Sequence, residues 1–428
     1  MQLKTLLNRV HPVKGFVYQS VRMLDDPDAV NAVKIEATLR PRRGSRAICA
    51  RRRRRGRTDD TQRARRFGFV PLWGIAVALV YAPRRVDCVA CGVKVEWMPW
   101  SDPGGKRPMT IALAVFLSTW AKRLSWVETA RIFSVSWEAV YRSVASAVGE
   151  GLSRRDLRGI TAIGVDEVAY AKGHRYATLV YQLTEGQRRL LFVSEGRSAK
   201  SLLRFFVMLR GAGRGWSVDL SASIDFVCSD MWRAYIKVIV KKLPDALHIL
   251  DRYHIVANLH KALDHVRAEE SRRLKAEGWD ILKGSRWLLL RRRKRLTGKQ
   301  AWKLGQILQW NLRTTRAYLL VESLNGLWEY KSPTYAGRFL DAWCRRAMRS
   351  QLDAIKREAK SLRKYREPII NGFRAKKRFN HGIVEGMNTR VKLRFRKAFG
   401  FRTFHAMEVA LYHELGDLPQ PKLIHRFC

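Results

Sequence analysis

Apolar positions alternate with polar ones in the middle of the chain and recur at helical spacing elsewhere. The alternating or wholly apolar stretches that predict strands are 160–169, 175–183, 189–194, 224–229 and 246–250. Helical spacing marks 199–209, 231–240 and the chain from about His254. The pattern therefore predicts three successive strands, followed by helices and strands in alternation.

This order of elements is that of the ribonuclease-H-like fold, which is an α/β architecture. We predict such a core over 156–254. Residues 255–370 are helical in composition almost throughout, and we interpret them as an all-helical insertion into the core. Residues 371–428 are then expected to supply the final helix of the core and a C-terminal tail.

A small mixed module is predicted over 1–105, before the core. Strands are expected at 30–39 and 69–81 within it, and a Cys-x-x-Cys pair follows at Cys88 and Cys91. The cysteines are otherwise scattered, so the chain has no disulfide framework and fits a reducing compartment.

Residues 106–155 have the spacing of a helix-turn-helix. Helices are predicted over 126–133 and 137–148, with a tight turn between them and Ser136 capping the second helix. That helix is predicted to present one face to a DNA groove, formed by Glu138, Tyr141, Arg142 and Ser143. Many helical hairpins share this spacing without touching DNA, but the charge of the chain favours DNA binding.

The chain carries 83 Lys and Arg residues against 37 Asp and Glu residues, a formal net charge of +46. Such an excess indicates a polyanionic partner, most often nucleic acid, although membrane surfaces and ribosomes are alternatives. Arg51, Arg52 and Arg53 open a run of five arginines that we predict to contact DNA, and a solvated loop without a partner is the plainer interpretation.

The most apolar stretch, 67–82, is interrupted by a proline and a glycine and is too short to span a membrane. The N-terminus lacks the apolar centre of a signal peptide. We therefore expect a soluble intracellular protein without a membrane contact.

Carboxylates in apolar strand ends are informative in so basic a chain, because burying one without a partner is costly. Asp166 lies within the strand predicted at 160–169, and its neighbour Glu167 must face the other side of the sheet. Asp230 follows the strand at 224–229, where open sheets usually carry functional groups. The alternative for each is a salt bridge to one of the many cations.

Glu385 is the third informative carboxylate, and it is predicted on a helix rather than a strand. On a predicted helix, Asn388 and Lys392 follow it at three and seven residues, so a carboxylate, an amide and a cation are expected to share one surface. Hard oxygen ligands suit Mg²⁺ or Mn²⁺, and a pair of such ions can promote phosphodiester cleavage. Asp166, Asp230 and Glu385 are therefore the predicted metal ligands and catalytic residues.

Nine distinctive short phrases are spread along almost the whole chain. They are Phe69-Val-Pro-Leu-Trp-Gly-Ile75, Arg84-Arg-Val-Asp-Cys88, Leu124-Ser-Trp126, Gly164-Val-Asp-Glu167, Gly173-His-Arg-Tyr176, Cys228-Ser-Asp-Met-Trp232, Asp251-Arg-Tyr-His254, Val384-Glu-Gly-Met-Asn388 and Gly400-Phe-Arg-Thr-Phe404. In these phrases the chain resembles the DDE-type transposases of the ISL-three insertion-sequence family.

The resemblance implies a triad in which Asp166 and Asp230 are the aspartates and Glu385 the glutamate. Such an enzyme would cleave and join phosphodiester bonds at the terminal inverted repeats of an insertion sequence. Its partners would be double-stranded DNA, as element ends and as target, and further copies of itself in a homo-oligomer on DNA. It would act in the bacterial cytoplasm, associated with the nucleoid. Asp251 and His254 match another family phrase, for which a structural and a catalytic task are equally open.

The family usually carries two Cys-x-x-Cys pairs that form a four-cysteine zinc ribbon. Here Cys49 is followed three residues later by Arg52, whereas Cys88 and Cys91 form an intact pair. A structural zinc site normally closes with four ligands, so we expect a degenerate zinc-ribbon-like module. Cys49, Cys88 and Cys91 are the candidate zinc ligands, and the incomplete set argues against zinc binding.

Two other functions compete with the active transposase. The degenerate cysteine set and the charge are also consistent with a catalytically silent, sequence-specific DNA-binding protein derived from such an enzyme. A structure-specific or RNA-directed nuclease on the same fold is the third interpretation, and the N-terminal modules give it no support.

Overall fold

The computed structural model describes residues 2–25, 33–102, 107–211, 219–291, 293–378 and 382–421. The chain forms two compact units: unit 1 is Met1–Arg155 with Arg394–Cys428, and unit 2 is Asp156–Leu393. The described chain after Arg394 thus belongs to unit 1, whereas the sequence analysis grouped it with the core. None of the helices in the described ranges combines the length and apolarity needed to cross a bilayer.

In its described residues, unit 1 contains two small sheets and several helices, including the last residues of a helix that begins in unit 2. Its strands are β1 Phe16–Asp25, β2 Val33–Pro41, β3 Arg57–Thr61, β4 Arg65–Leu72, β5 Ile75–Tyr81, β6 Arg84–Cys88 and β7 Gly92–Val95. Its first helices are α1 Leu3–Val10, α2 Ile111–Arg123, α3 Trp126–Ile132 and α4 Trp137–Arg154. One sheet has the order β1-β2-β5-β4 and the other β3-β6-β7.

The single strand predicted over 69–81 is wrong, because the segment forms a hairpin. Trp73 and Gly74 have φ values of 51° and 79° and turn the chain between β4 and β5, which pair antiparallel. Two successive positive φ values are typical of the tight turns that join antiparallel strands. The strand predicted at 30–39 is present from Val33 onward, and its positions 30–32 lie outside the described residues.

Unit 2 is built around one five-stranded sheet, and the α/β class that the sequence predicted is confirmed. Its strands are β8 Ala162–Ala171, β9 Arg175–Gln182, β10 Arg189–Glu195, β11 Phe226–Ser229 and β12 Leu247–Leu250. Its helices are α5 Ala199–Gly211, α6 Arg233–Lys242, α7 Arg252–Ala276, α8 Arg286–Leu290, α9 Gly298–Leu308, α10 Arg313–Leu324, α11 Pro333–Met348, α12 Asp353–Lys364, α13 Arg366–Arg374 and α14 Gly382–Lys397, after which α15 Phe404–Leu415 lies in unit 1.

The strand order is β10-β9-β8-β11-β12, in which β8, β11 and β12 are parallel and β9 and β10 antiparallel to their neighbours. Val165 of β8 belongs to a buried core that α5 and α6 complete. Gly164, on the opposite face, lies under α14, because a Cβ there would be 2.7 Å from the Val384 side chain. Strand β8 is thus covered by helices on both faces.

The helices from α7 to α13 bury a core of their own. Trp343 is fully buried in it, and its indole N–H donates a hydrogen bond to the Leu320 carbonyl at 2.8 Å. Leu250, the last residue of β12, belongs to the same core. This helical region is therefore packed onto the edge of the sheet at which β12 lies.

Gly164→Ala is expected to destabilise the protein by about 1–3 kcal/mol, because the added methyl group would overlap Val384 and force α14 away from β8. Gly386→Ala is the matched control, since a Cβ on that exposed face of α14 meets nothing within 4 Å. The control is expected to be neutral or more stable by about 0.5–1 kcal/mol. Chemical unfolding followed by fluorescence measures both, and equal effects would contradict the close packing at Gly164.

Candidate active site and nucleic-acid interface

Three aspartates lie at one level of the unit 2 sheet. In the parallel register, Ser229 of β11 lies opposite both Val165 of β8 and Leu250 of β12. The next residue on each strand is an aspartate, giving Asp166, Asp230 and Asp251. Sheet register thus gathers carboxylates that are far apart in the sequence, and two of them lie just beyond a strand end.

These carboxylates are buried, and Asp251 also lies within the field of the Asp166 charge. Burial raises the pKa of Asp230, and burial together with the charge of Asp166 raises the pKa of Asp251 to about 6. Burial and the charges of Asp230 and Asp166 also raise the pKa of Glu167, to about 7. The cluster therefore holds more negative charge than its neighbours compensate.

Each aspartate is oriented by the backbone that follows it. One carboxylate oxygen accepts a hydrogen bond from a backbone N–H, donated by Glu167 to Asp166 at 2.8 Å, by Trp232 to Asp230 at 3.0 Å and by Tyr253 to Asp251 at 2.8 Å. His254 Nε2 lies 3.5 Å from the other oxygen of Asp251. Asp251 also caps α7, which gives it a structural task whatever its chemistry.

Helix α14 joins the site through an amide. Asn388 is buried, its Nδ2 donates a hydrogen bond to Asp166 Oδ2, and its Oδ1 accepts one from the Tyr181 hydroxyl at 2.7 Å. Glu385 and Lys392 are exposed on the same helix. The shared surface predicted for these three side chains is therefore wrong for Asn388, because the amide turns inward to satisfy a buried carboxylate.

Two residues of this region were not among the site residues predicted from the sequence. Glu167 lies on the face of β8 opposite Asp166, with its Oε1 3.9 Å from Arg197 Nη1. Arg197 lies over the rings of Tyr176 and Trp232, at 4.0 and 4.8 Å from their centroids. No spacing rule links these positions, because Arg197 comes from the loop between β10 and α5.

The donor set suits a hard divalent cation. Carboxylate oxygens are the preferred ligands of Mg²⁺, and Glu167 Oε2 is buried without a hydrogen-bond partner in the described part of the chain. Asp166 and Asp230 stand side by side, but Glu385 does not join them in a compact triad. Within the described ranges, the one group of three or more ligand side chains lying within 4.8 Å of one another is Cys49, Cys88 and Cys91.

Those three cysteines lie in unit 1. The backbone N–H groups of Arg51 and Arg52 donate hydrogen bonds to the Cys49 sulfur. Burial raises the pKa of Cys49, but these bonds and the thiols of Cys88 and Cys91 outweigh it and hold that pKa below its usual range. Burial and the thiols of Cys88 and Cys49 raise the pKa of Cys91. The structure thus gathers the three candidate zinc ligands in one place, with their sulfur atoms within 4.8 Å of one another.

The arginine run that follows Cys49 is exposed from Arg51 to Arg55. Arg53 is held in place, with a φ of 57° and its guanidinium 4.2 Å from the centre of the Trp97 ring. The other guanidinium groups are free to approach a phosphate backbone from solvent.

Helices α3 and α4 lie where the helix-turn-helix was predicted. The predicted capping of α4 is confirmed, since the Ser136 hydroxyl accepts a hydrogen bond from the Ala139 N–H at 3.2 Å. Glu138 and Arg142 are exposed one turn apart on α4. They form a polar face that a DNA groove can contact.

Two predictions for that face need correction. Ser143 is buried and donates its hydroxyl hydrogen bond to the Ala139 carbonyl at 2.7 Å, so it is not part of the exposed face. Tyr141 is half-buried, with its ring 5.3 Å from that of Trp126. Tyr141 thus faces α3, whereas Ser143 faces Met109, whose sulfur lies 3.6 Å from the Ser143 hydroxyl oxygen.

A family model described as transposase matches residues 163–411, more than half of the chain. Unit 2 therefore has the framework of a DNA-processing enzyme, and its carboxylates lie within the match. The chain belongs to the ISL3-type family of DDE transposases, whose members generally use a divalent metal.

Two relatives extend this similarity over both units. The transposase for insertion sequence element IS1001 of Bordetella parapertussis is 29% identical over 394 residues, covering 91% of this chain and 92% of the relative. The transposase for insertion sequence element IS1557 of Mycobacterium tuberculosis (strain CDC 1551 / Oshkosh) is 28% identical over 419 residues, covering 92% and 91%. The N-terminal unit is thus part of the family likeness.

Asp230→Asn is expected to raise the unfolding temperature in EDTA by about 2–4 °C, because it removes one charge from a buried, repelling cluster. Added Mg²⁺ is expected to stabilise the wild type but not the variant, which lacks a ligand. Asp225→Asn, an exposed change at the start of the same strand segment, is the control and should alter neither result. Scanning calorimetry decides: equal Mg²⁺ stabilisation of all three proteins places the ion elsewhere.

Proposed function

We propose that this protein is a DNA transposase that cleaves and joins phosphodiester bonds at the terminal inverted repeats of its insertion sequence, by a metal-dependent DDE mechanism. The observation that carries the proposal is the placement of Asp166 and Asp230 side by side on parallel strands. Helix α14, which carries Glu385, is tied to Asp166 through Asn388. Membership of the transposase family supports the same reaction.

Unit 2 serves in this proposal as a ribonuclease-H-like catalytic core. The strand order, with three antiparallel-connected strands followed by two parallel ones, supports that assignment. The helices from α7 to α13 are then an insertion between Asp251 and Glu385. In unit 1, the β-rich part up to 105 and the helix-turn-helix over 106–155 act as DNA-binding modules.

Asp166, Asp230 and Glu385 would hold Mg²⁺ or Mn²⁺, which when bound activates the attacking oxygen and stabilises the leaving oxygen. The protein's own contribution is orientation. Asn388 fixes one oxygen of Asp166 while the Tyr181 hydroxyl fixes Asn388, so the carboxylate cannot rotate freely. This arrangement keeps the ligand geometry ready before DNA arrives.

The exposed side chains around the carboxylates are assigned to DNA. Lys392 lies on α14 beyond Glu385, where it would neutralise a phosphate near the reacting bond. Asp251 and His254 form the adjoining pair, and their contact lets His254 steady the third aspartate of the level.

DNA recognition is assigned to unit 1. Glu138 and Arg142 on α4 would read base edges, with half-buried Tyr141 beside them, and Arg51 and Arg52 would bind phosphates. The formal net charge of +46 supports extensive phosphate contact. A homo-oligomer on DNA is part of the proposal, because joining an element requires both of its ends in one complex.

Alanine variants of Asp166, Asp230 and Glu385 are expected to lose strand transfer by at least about 100-fold, the loss that follows removal of one electrostatic stabiliser. The measurement uses duplexes that copy the two ends of the element, a target plasmid and Mg²⁺. End binding in Ca²⁺ should stay unchanged in all three variants.

Glu185→Ala is the control, since that carboxylate is exposed on the turn between β9 and β10, away from the cluster. It should transfer strands like the wild type. If the wild type binds the ends but cleaves no DNA in Mg²⁺ or Mn²⁺, the catalytically silent DNA-binding protein is the correct function.

Arg197 is assigned to a DNA phosphate, because two aromatic rings hold its cation beside the carboxylates and it remains partly exposed. Arg197→Gln is expected to weaken end binding and to lower the slope of log affinity against log salt by about 1. Arg188→Gln, an exposed change in the same unit, is the control. A slope unchanged from wild type in Arg197→Gln refutes the phosphate contact.

A further inference from the structure

The cysteine cluster of unit 1 does not fit the closed zinc site that the family resemblance implies. Such a site needs four ligands, usually four thiolates or thiolates with histidines. Here the cluster contains Cys49, Cys88 and Cys91, and no fourth His, Cys, Asp or Glu joins it among the residues that the structure describes. The site therefore differs from a four-ligand zinc site in having three ligands, which are nevertheless gathered in one place.

The three thiols nevertheless lie close together and are held there by the backbone around them. Their sulfur atoms lie within 4.8 Å of one another, with Cys49 and Cys88 buried and Cys91 half-buried. Cys88 and Cys91 lie on one turn, closed by a hydrogen bond from the Cys91 N–H to the Cys88 carbonyl at 2.9 Å. An isolated bridge pairs Cys49 with Glu96, just beyond β7, which holds Cys49 close to that turn.

Position 52 is where the fourth thiol would stand. Cys49 and position 52 have the same spacing as Cys88 and Cys91, and the Arg52 backbone N–H already donates a hydrogen bond to the Cys49 sulfur. The Arg52 side chain is exposed and cationic, so it supplies no ligand and opposes a divalent ion. One corner of the site is therefore open on the solvent side.

We propose that Cys49, Cys88 and Cys91 form an open three-thiolate site for a thiophilic ion that three thiolates satisfy, and that Arg52 sets this coordination number. Thiolates select soft ions, and the site lacks the fourth ligand that makes structural zinc stable. An occupied site cross-links the segment that carries Arg51–Arg55 to the turn between β6 and β7.

Trivalent arsenic is the probe, because it forms three bonds to sulfur. Arsenous acid reacts with three thiols to give three As–S bonds, while each As–OH group leaves with one thiol proton as water. No electrons are transferred, so neither an oxidant nor a reductant is required. Cobalt(II) is the second probe, since its visible spectrum distinguishes four thiolate ligands from fewer.

The experiment uses the full-length protein, reduced and free of metal, and requires no DNA. Wild type is expected to take up one arsenic per chain by native mass spectrometry and to protect three cysteines from alkylation. Cys49→Ser and Cys91→Ser should each weaken uptake by at least roughly tenfold. Far-UV circular dichroism and the melting temperature establish that each variant is folded.

Arg52→Cys tests the coordination number by gain of function. It should bind Co²⁺ at least roughly tenfold more tightly than wild type, with the intense visible bands of a tetrahedral four-thiolate site. Arg51→Cys is the matched control, since it adds the same thiol and removes the same charge one residue out of register. It should bind Co²⁺ as wild type does.

The proposal is wrong if folded wild-type protein takes up no arsenic, or if serine variants take it up equally well. It is also wrong if wild type and Arg52→Cys bind Co²⁺ with the same affinity and spectrum, because position 52 then does not control coordination. None of these outcomes depends on strand transfer, so the site and the proposed function are tested separately.

Discussion

The hydrogen bond from Asn388 to Asp166 joins residues 222 positions apart, and the arrangement of unit 2 depends on it. A buried carboxylate needs a partner, and here the partner comes from the helix that also carries Glu385. The helix can approach because Gly164, two residues before Asp166 and on the same face of β8, leaves room for Val384. Gly164 and Asn388 thus hold α14, at the end of unit 2, against β8, the first strand of that unit.

A comparison with Glu96, another buried acidic side chain, shows why the unit 2 cluster is unusual. Glu96 in unit 1 is satisfied on both oxygens, by the Tyr81 hydroxyl, the Arg84 backbone N–H and the Arg84 guanidinium at 2.7 Å. Asp166, Asp230 and Glu167 instead stand near one another, although the chain has abundant cations. Clustering of this kind costs folding energy, and proteins retain it mainly where charge must meet a ligand.

The sequence predicted the strands and helices of unit 2 well, because periodicity and apolar runs report local burial. It also predicted correctly that Asp166 lies within a strand and that Asp230 directly follows one, since each interrupts an apolar strand context. It missed the turn at Trp73 and Gly74, because apolar residues continue through it and conceal the change of direction. Helical spacing also assigned Ser143 to the exposed face, whereas its contact with Met109, 34 positions away, goes with its burial.

Other features depend on contacts that no local pattern encodes. Arg197 meets Glu167 only because a loop after β10 returns over the sheet, and residues after Arg394 join unit 1 only because the chain leaves unit 2 within one helix. The inward turn of Asn388 has the same origin: helical spacing placed it beside Glu385, but the need of a distant carboxylate decided its direction.

The two ligand sets of this chain differ in chemical hardness, and this difference keeps them independent. The unit 2 set offers only carboxylate oxygens, which bind Mg²⁺ and are poor ligands for soft ions, whereas the unit 1 set offers only thiols, which have the reverse preference. An ion suited to one set therefore competes weakly at the other. Arginine in place of cysteine at position 52 therefore changes which ion the unit 1 set selects. It does not change the oxygen ligands of the unit 2 set.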